Sequence, residues 1–188
     1  MIFETIFLSL FIGKIKKGKI KNIGTLYIRG WQFILLSFII DIISLLIITR
    51  TQSNISIFLD TYFFIIHIII YLLLIIGLLF NYKEQGLFIV SIGTILNFLP
   101  LLLNNGKMPV SSNGLLKSKL YGELVLLENN QILTHSLMNN DTKLKLLCDI
   151  IPLSKPYPFP KVISIGDILI SIGVFILLYN YMTIENNN

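Results

Sequence analysis

The run PKVISIGDILISIGVFILLYNY, Pro160 to Tyr181, decides how the chain is read, because it is apolar enough to enter a membrane yet carries Asp167 near its beginning. A charge at mid-bilayer costs about 2.5 to 3.5 kcal/mol even on the lenient insertion scale, so a carboxyl kept there asks for a partner or a purpose. Working outward, Ile163 to Tyr181 approaches the roughly 20 apolar residues that cross about 30 Å of hydrocarbon. Three more stretches do the same: Trp31 to Thr49, Tyr62 to Phe80 and Leu87 to Leu103. Trp31, Tyr62, Tyr82, Tyr179 and Tyr181 stand at their ends, where amphipathic rings prefer the headgroup level. A shorter apolar segment, Ile2 to Ile12, contains Glu4 and reads as a tilted span, an interfacial anchor or an uncleaved signal-like segment. No small-residue cleavage site follows it, so it is expected to stay in the mature protein.

Composition agrees with this reading. Hydrophobic residues make up 54% of the 188 and charged residues 13%, far too apolar a balance for a soluble domain of this size. The expected fold is an all-α polytopic bundle forming one membrane domain over residues 1–188, with four spans, a short N-terminal segment and an outer-face cap of loops and helices. The single cysteine, Cys148, cannot close an intramolecular disulfide, and no Cys/His spacing suggests zinc or a redox pair, so no metal or cofactor is expected.

The net charge of +5 is unevenly placed. Six of the fifteen cations, Lys14, Lys16, Lys17, Lys19, Lys21 and Arg29, fall between the first two apolar runs. That is a positive-inside signal with anionic lipid headgroups as partner, and neither a recognition helix nor aromatic interleaving points to nucleic acid. Residues 14–29 are then cytoplasmic, 50–60 outside, 81–86 inside and 104–162 extracytoplasmic, with the Glu185 to Asn188 tail back in the cytoplasm. The expected location is a bacterial cytoplasmic membrane.

At about 1.5 Å per helical residue, Asp41, His67, Asn97 and Asp167 all lie roughly 6 to 12 Å below the outer surface. Ionisable groups in spans face a bundle interior or wet cavity and pair with one another, and Asp41 with His67 is the obvious pair. Such a pair also serves packing alone. Asn97 with Pro100 marks a helix end, and Asp167 doubles as an N-terminal cap. In the outer segment, Leu115 to Glu128 has a helical apolar pattern suited to the membrane face, and Thr142 to Cys148 reads as helix. Pro152, Pro156, Pro158 and Pro160 then hold the chain extended. Asp149 and Asp167 bracket that stiff connection, so the expected site is an outer-leaflet cavity around them, with Asn104, Lys107, His135 and Ser164 as binding candidates.

The layout of a Lys/Gly-rich loop before a span, NGKMPVS, an isolated His, LLCDIIP and SIGDILISIGV resembles an uncharacterised family of small bacterial polytopic membrane proteins, a domain of unknown function. That resemblance covers essentially the whole chain and implies fold and location but no activity. Within it, CDIIPLSKPYPFPKVISIGDILISIG is similar to the C-terminal part of lipoprotein signal peptidases, which implies Asp149 and Asp167 as a catalytic aspartate pair, although Cys148 and Ile150 flank Asp149 where that family's asparagine and arginine are absent. In such a pair two carboxylates share one proton, and one activates water while the other polarises the scissile carbonyl. No GxSxG, HExxH, GxxxxGK[ST] or GxGxxG occurs, so serine hydrolase, zinc peptidase and nucleotide-dependent chemistries lack their groups. The expected protein is an integral membrane protein of unknown biochemical function with an outer-leaflet polar site around Asp149 and Asp167, and beside the peptidase-like alternative stand two others. One is a membrane scaffold; the other is an oligomeric transport component, formed by a homo-oligomer or with another membrane protein.

Overall fold

The computed structural model describes residues 1–184, so the expected Glu185 to Asn188 tail lies outside the described residues. The helices are α1 (Ile2–Ile15), α2 (Trp31–Arg50), α3 (Asn54–Thr61), α4 (Phe63–Leu79), α5 (Gln85–Leu103), α6 (Ser112–Lys117), α7 (Tyr121–Glu128) and α8 (Ile165–Thr183). Of these α2, α5 and α8 are each long and apolar enough to cross a membrane, while α3 and α4 qualify together across a 71° bend. The expected external loop from Arg50 to Asp60 is therefore largely helix. Its start is set by a reciprocal cap in which the Ser56 amide donates to Ser53 Oγ at 3.2 Å and the Ser53 amide donates to Ser56 Oγ at 3.1 Å. The expected short first segment is the 14-residue α1.

The long helices form a curved row. α2 packs on α4, α4 on α5, α5 on α8, and α8 on α1. The strongest seam is α5 with α8, and glycines explain it. Gly86 and Gly93 on α5 meet Gly173 and Gly166 on α8 in antiparallel register, each pair seven residues apart. A Cβ at Gly173 would lie 2.6 Å from the Gly86 carbonyl oxygen and one at Gly93 would lie 2.6 Å from that of Gly166. Small residues let the backbones close up where lipid supplies no hydrophobic drive between helices. α2 uses the same device more weakly: buried Ser37 and Ser44 share a stripe with Asp41 facing α4, while its other faces are largely exposed.

The two ends of the row differ. At one end, the lysine-rich connection makes a 3-10 turn over Ile20–Thr25 that is tied to the end of α8. The Lys19 amide donates to the Met182 carbonyl at 2.9 Å and Asn22 Nδ2 to that of Ile184 at 3.0 Å. Asn81 bonds Arg29 through both its amide and its carbonyl, each at 2.7 Å. At the other end residues 104–164 form a cap with its own small core of Val110, Leu115 and Leu127.

The cap corrects the all-helical expectation. β1 (Met108–Val110) pairs in parallel with β2 (His135–Leu137), and β3 (Ile151–Leu153) pairs antiparallel with β4 (Lys161–Ile163). Proline removes helix as an option at Pro109 and Pro152, and the extended chain then satisfies its carbonyls laterally. The expected helix from Thr142 to Cys148 is reduced to a 3-10 turn, Lys145–Leu147, preceded by Leu144 at φ 51. Leu115 to Glu128 is helical as expected, split into α6 and α7. The β3–β4 hairpin is fastened to α1, where Glu4 Oε1 accepts from Lys161 Nζ at 2.7 Å and Tyr157 OH at 2.9 Å.

The glycine seam gives the first prediction. Gly173→Val places a side chain against backbone atoms that cannot swing away, and is expected to cost about 1 to 3 kcal/mol, the usual range for overpacking. Gly122→Ala, at a position with nothing within 4 Å, is the control. Thermal unfolding in detergent micelles checks both, and equal midpoints would contradict the seam.

Candidate functional site

Under the cap the curved row of helices encloses a cavity of about 360 Å³. Asp41 and Leu45 reach it from α2, His67 and Tyr71 from α4, Asn97 and Leu101 from α5, and Asp167 from α8. The cap closes it with Met108, Thr134, His135 and Asp149. The four polar residues placed at one depth by counting along the spans thus line one space with Asp149 and His135. No lysine or arginine is among the lining residues.

Asp167 is held by the start of α8. Ser164, not Asp167, is the N-cap: its Oγ accepts from the Asp167 amide at 3.0 Å, and Asp167 Oδ2 accepts from the Ser164 amide at 3.1 Å. This reciprocal box accounts for an acid three residues into the helix. Asp167 Oδ1 also accepts from Asn97 Nδ2 at 2.9 Å, and Ser164 Oγ donates to Asn97 Oδ1 at 2.7 Å. Each oxygen of Asp167 therefore has a donor, and the ring of contacts crosses the α5–α8 seam. Asn97 lies within α5, which runs through Pro100 to Leu103, where the expected span ends.

Asp149 is fixed differently. Its amide donates to the Pro109 carbonyl at 3.0 Å and its carbonyl accepts from the Ser111 amide at 2.9 Å, so it extends β1 as a bridge strand. Only 7% of the residue is exposed, and Oδ1 has no hydrogen-bond partner. Burial first, and the nearby Asp167 charge second, push its carboxyl up to about 8. Burial holds the neighbouring His135 imidazole below its usual range, with a further push from His67. His135 Nε2 lies 3.7 Å from Asp149 Oδ2, beyond hydrogen-bond reach. Both groups are then uncharged near neutral pH, and the proton resides on the carboxyl.

The expected Asp41–His67 bond is not formed. His67 Nδ1 instead donates to the Gly106 carbonyl at 2.6 Å, because the NNG turn brings that carbonyl down onto α4. Gly106 sits at φ +75, where a Cβ would be strained and would lie 3.0 to 3.1 Å from Phe64. The Asp41 carboxyl makes no hydrogen bond or ion pair with another described residue, although the Asp41 backbone carbonyl accepts from Ser44 Oγ at 3.0 Å. Asn104 and Lys107 line a separate, shallower cleft of about 810 Å³ on the cap's far side. There Asn104 is structural, tying Pro100 to Lys143 through bonds of 2.6 to 3.1 Å. Two lining residues with hydroxyl groups escaped the sequence reading. Tyr71 stacks on Phe98 and meets the His67 ring edge-on at 5.4 Å; its spacing of four from His67 was the available signal. Thr134, bonded to His135 Nδ1 at 2.8 Å, gave none.

The chain is mostly helical, and its long apolar helices around a polar cavity are those of a protein suited to a membrane. It belongs to the DUF5317 family, a family of unknown function, which matches residues 25–179. It is similar to an uncharacterized protein of Thermotoga maritima, 29% identical over 171 residues that cover 91% of this chain and 86% of that one. No solved structure matches it. Nothing in these matches supports the similarity to lipoprotein signal peptidases.

The buried acid predicts a pH dependence. With a folded value of about 8 against 3.8 for the free group, the native state holds a proton that the unfolded chain has lost between those limits, so this group's contribution to stability falls as pH rises from about 4 to 8. Asp149→Asn removes that slope. It is expected to be more stable than wild type at pH 9 by roughly 2 to 5 kcal/mol and little different at pH 4, at about 1.4 kcal/mol per decade of proton affinity. Unfolding midpoints across that range check it, and parallel curves for the two proteins would refute the buried proton.

Proposed function

We propose that the chain is a membrane-embedded acid–base enzyme in which Asp149 and Asp167 work as a proton-sharing pair on a bond presented in the cavity beneath the cap. The observation that carries this reading is that a buried acid with its proton retained and a second carboxyl held as an acceptor line the same small cavity. Environments that separate two carboxyls in this way assign the acid and the base. Asp149 would donate its proton to the leaving group or polarise a carbonyl, and Asp167 would take a proton from water. The reaction class that fits is hydrolysis of an ester or amide bond at the membrane face. This reading rests on the aspartates' surroundings and not on the signal-peptidase resemblance.

A transport role is the second reading, favoured by one observation: Asp41 and His67 add titratable groups to the cavity that a two-carboxyl reaction does not use. The orientation proposed places exposed Lys14, Lys16, Lys17, Lys19, Lys21 and Arg29 against the anionic headgroups of the cytoplasmic leaflet, and the cap outside. A scaffold formed with a second copy through the exposed faces of α2 remains the non-catalytic alternative.

Asp167→Asn alone would leave one donor facing another, a loss of about 1 to 3 kcal/mol that confuses fold with function. The double change Asp167→Asn with Asn97→Asp keeps every hydrogen bond in the ring and moves the carboxyl one helix over. It is expected to fold like wild type and to abolish the cellular phenotype of a deletion strain's complementation, as Asp149→Asn also should. Full complementation by both would exclude the pair. Uncoupled loss, with pH-gradient-driven uptake intact in vesicles bearing the double change, would favour transport.

Orientation is tested separately. In a Cys148→Ser background, Asn129→Cys should react with an impermeant thiol reagent added to intact cells, and Lys17→Cys should react only after lysis. The opposite pattern would invert the protein.

A further inference from the structure

The cavity lacks a positive partner. Asp149 is nine-tenths buried with Oδ1 unbonded, and half-buried Asp41 has no hydrogen bond or ion pair on the facing wall. Asp167 adds a third carboxyl, already bonded. In a low-dielectric layer an unpaired carboxyl is costly, so native structures match it with a donor or a cation. The two imidazoles do not supply one: His67 Nδ1 is committed to Gly106, and His135 Nε2 stands 3.7 Å from Asp149. Among the described residues no group of three or more His, Cys, Asp or Glu is arranged to hold a metal ion. The wall between Asp41 and Asp167 carries Tyr71 and His67 with their rings in contact, an aromatic surface that suits an ammonium group.

We infer that the cavity binds a primary ammonium group, with one N–H on the Asp41 carboxyl, another on Oδ1 of Asp149, which accepts as the carbonyl oxygen of the protonated acid, and its alkyl stem along Tyr71. The group belongs either to an amine dissolved in water or to the headgroup of an amine-bearing phospholipid. A primary ammonium meets the need better than a quaternary one, because Asp149 Oδ1 lacks a hydrogen-bond donor and not merely a charge. The inference rests on the cavity being the functional site, as proposed above, and would name the recognition element of its substrate. It does not require Asp149 and Asp167 to share a proton.

Calorimetric titration of the full chain in phosphatidylcholine nanodiscs tests it, with ethanolamine, tetramethylammonium and 1-propanol as soluble probes. Nanodiscs containing phosphatidylethanolamine, titrated against the phosphatidylcholine ones by competition with ethanolamine, form the lipid arm. Ethanolamine is expected to bind more tightly than tetramethylammonium and propanol not at all. Asp41→Asn should weaken ethanolamine about tenfold or more, the loss of one charge-assisted hydrogen bond. Ethanolamine binding that is equal in the two kinds of nanodisc assigns an aqueous source, and binding that is weakened when phosphatidylethanolamine is present assigns a lipid one; either supports the inference. Equal affinity for propanol, undiminished affinity in Asp41→Asn, or no binding by any amine overturns it. The Asp167→Asn, Asn97→Asp double change should keep ethanolamine affinity within about threefold while losing complementation, so failure here and failure of the acid–base reading are told apart.

Discussion

Everything in the membrane portion depends on how closely α5 and α8 approach. With Gly93 against Gly166 and Gly86 against Gly173, the two backbones come near enough for Asn97 to reach both Ser164 and Asp167. A Cβ at Gly166 would occupy the space of the Asn97 carboxamide itself. The contact that packs the helices is thus the contact that orients the acid. In a bilayer, where apolar side chains gain little by leaving lipid for each other, such polar and small-residue contacts carry the specificity of the fold.

The cap supplies the other half. A short parallel pairing of β1 and β2 holds His135, and the bridge from Pro109 to Asp149 sets the buried carboxyl over the mouth of the helix row. Irregular backbone at this level is tolerated because it lies in protein and lines a cavity. The NNG turn pins the cap to α4 through His67, so the imidazole serves to position the wall before it serves any chemistry.

Much of this was legible from residue order. Apolar runs located the long helices, and counting inward from their ends placed Asp41, His67, Asn97 and Asp167 at one depth, where they line one cavity. Depth does not determine azimuth. The Asp41–His67 bond failed because the distant Gly106 carbonyl competes for the same nitrogen, and nothing local to either residue encodes that. The strands of the cap were hidden for a similar reason: three-residue segments carry too little periodicity, and their partners lie 27 and 10 residues away in β1–β2 and β3–β4. Proline announced that helix was excluded without saying what the extended chain would pair with. Ser164 as cap was readable, since Ser followed three residues on by an acid is a known box, but the acid's second partner on α5 was not.

The packing of α1 on α8, reinforced by Glu4 with Lys161, has a consequence for biogenesis. These contacts join opposite ends of the chain, 157 residues apart. During synthesis α1 precedes β4 and α8, so Glu4, already held at 2.8 Å by the Met1 ammonium, gains its Lys161 partner only once they have been made. A chain stalled before Lys161 would keep Glu4 with the Met1 ammonium alone and leave α1 without the helix it packs on.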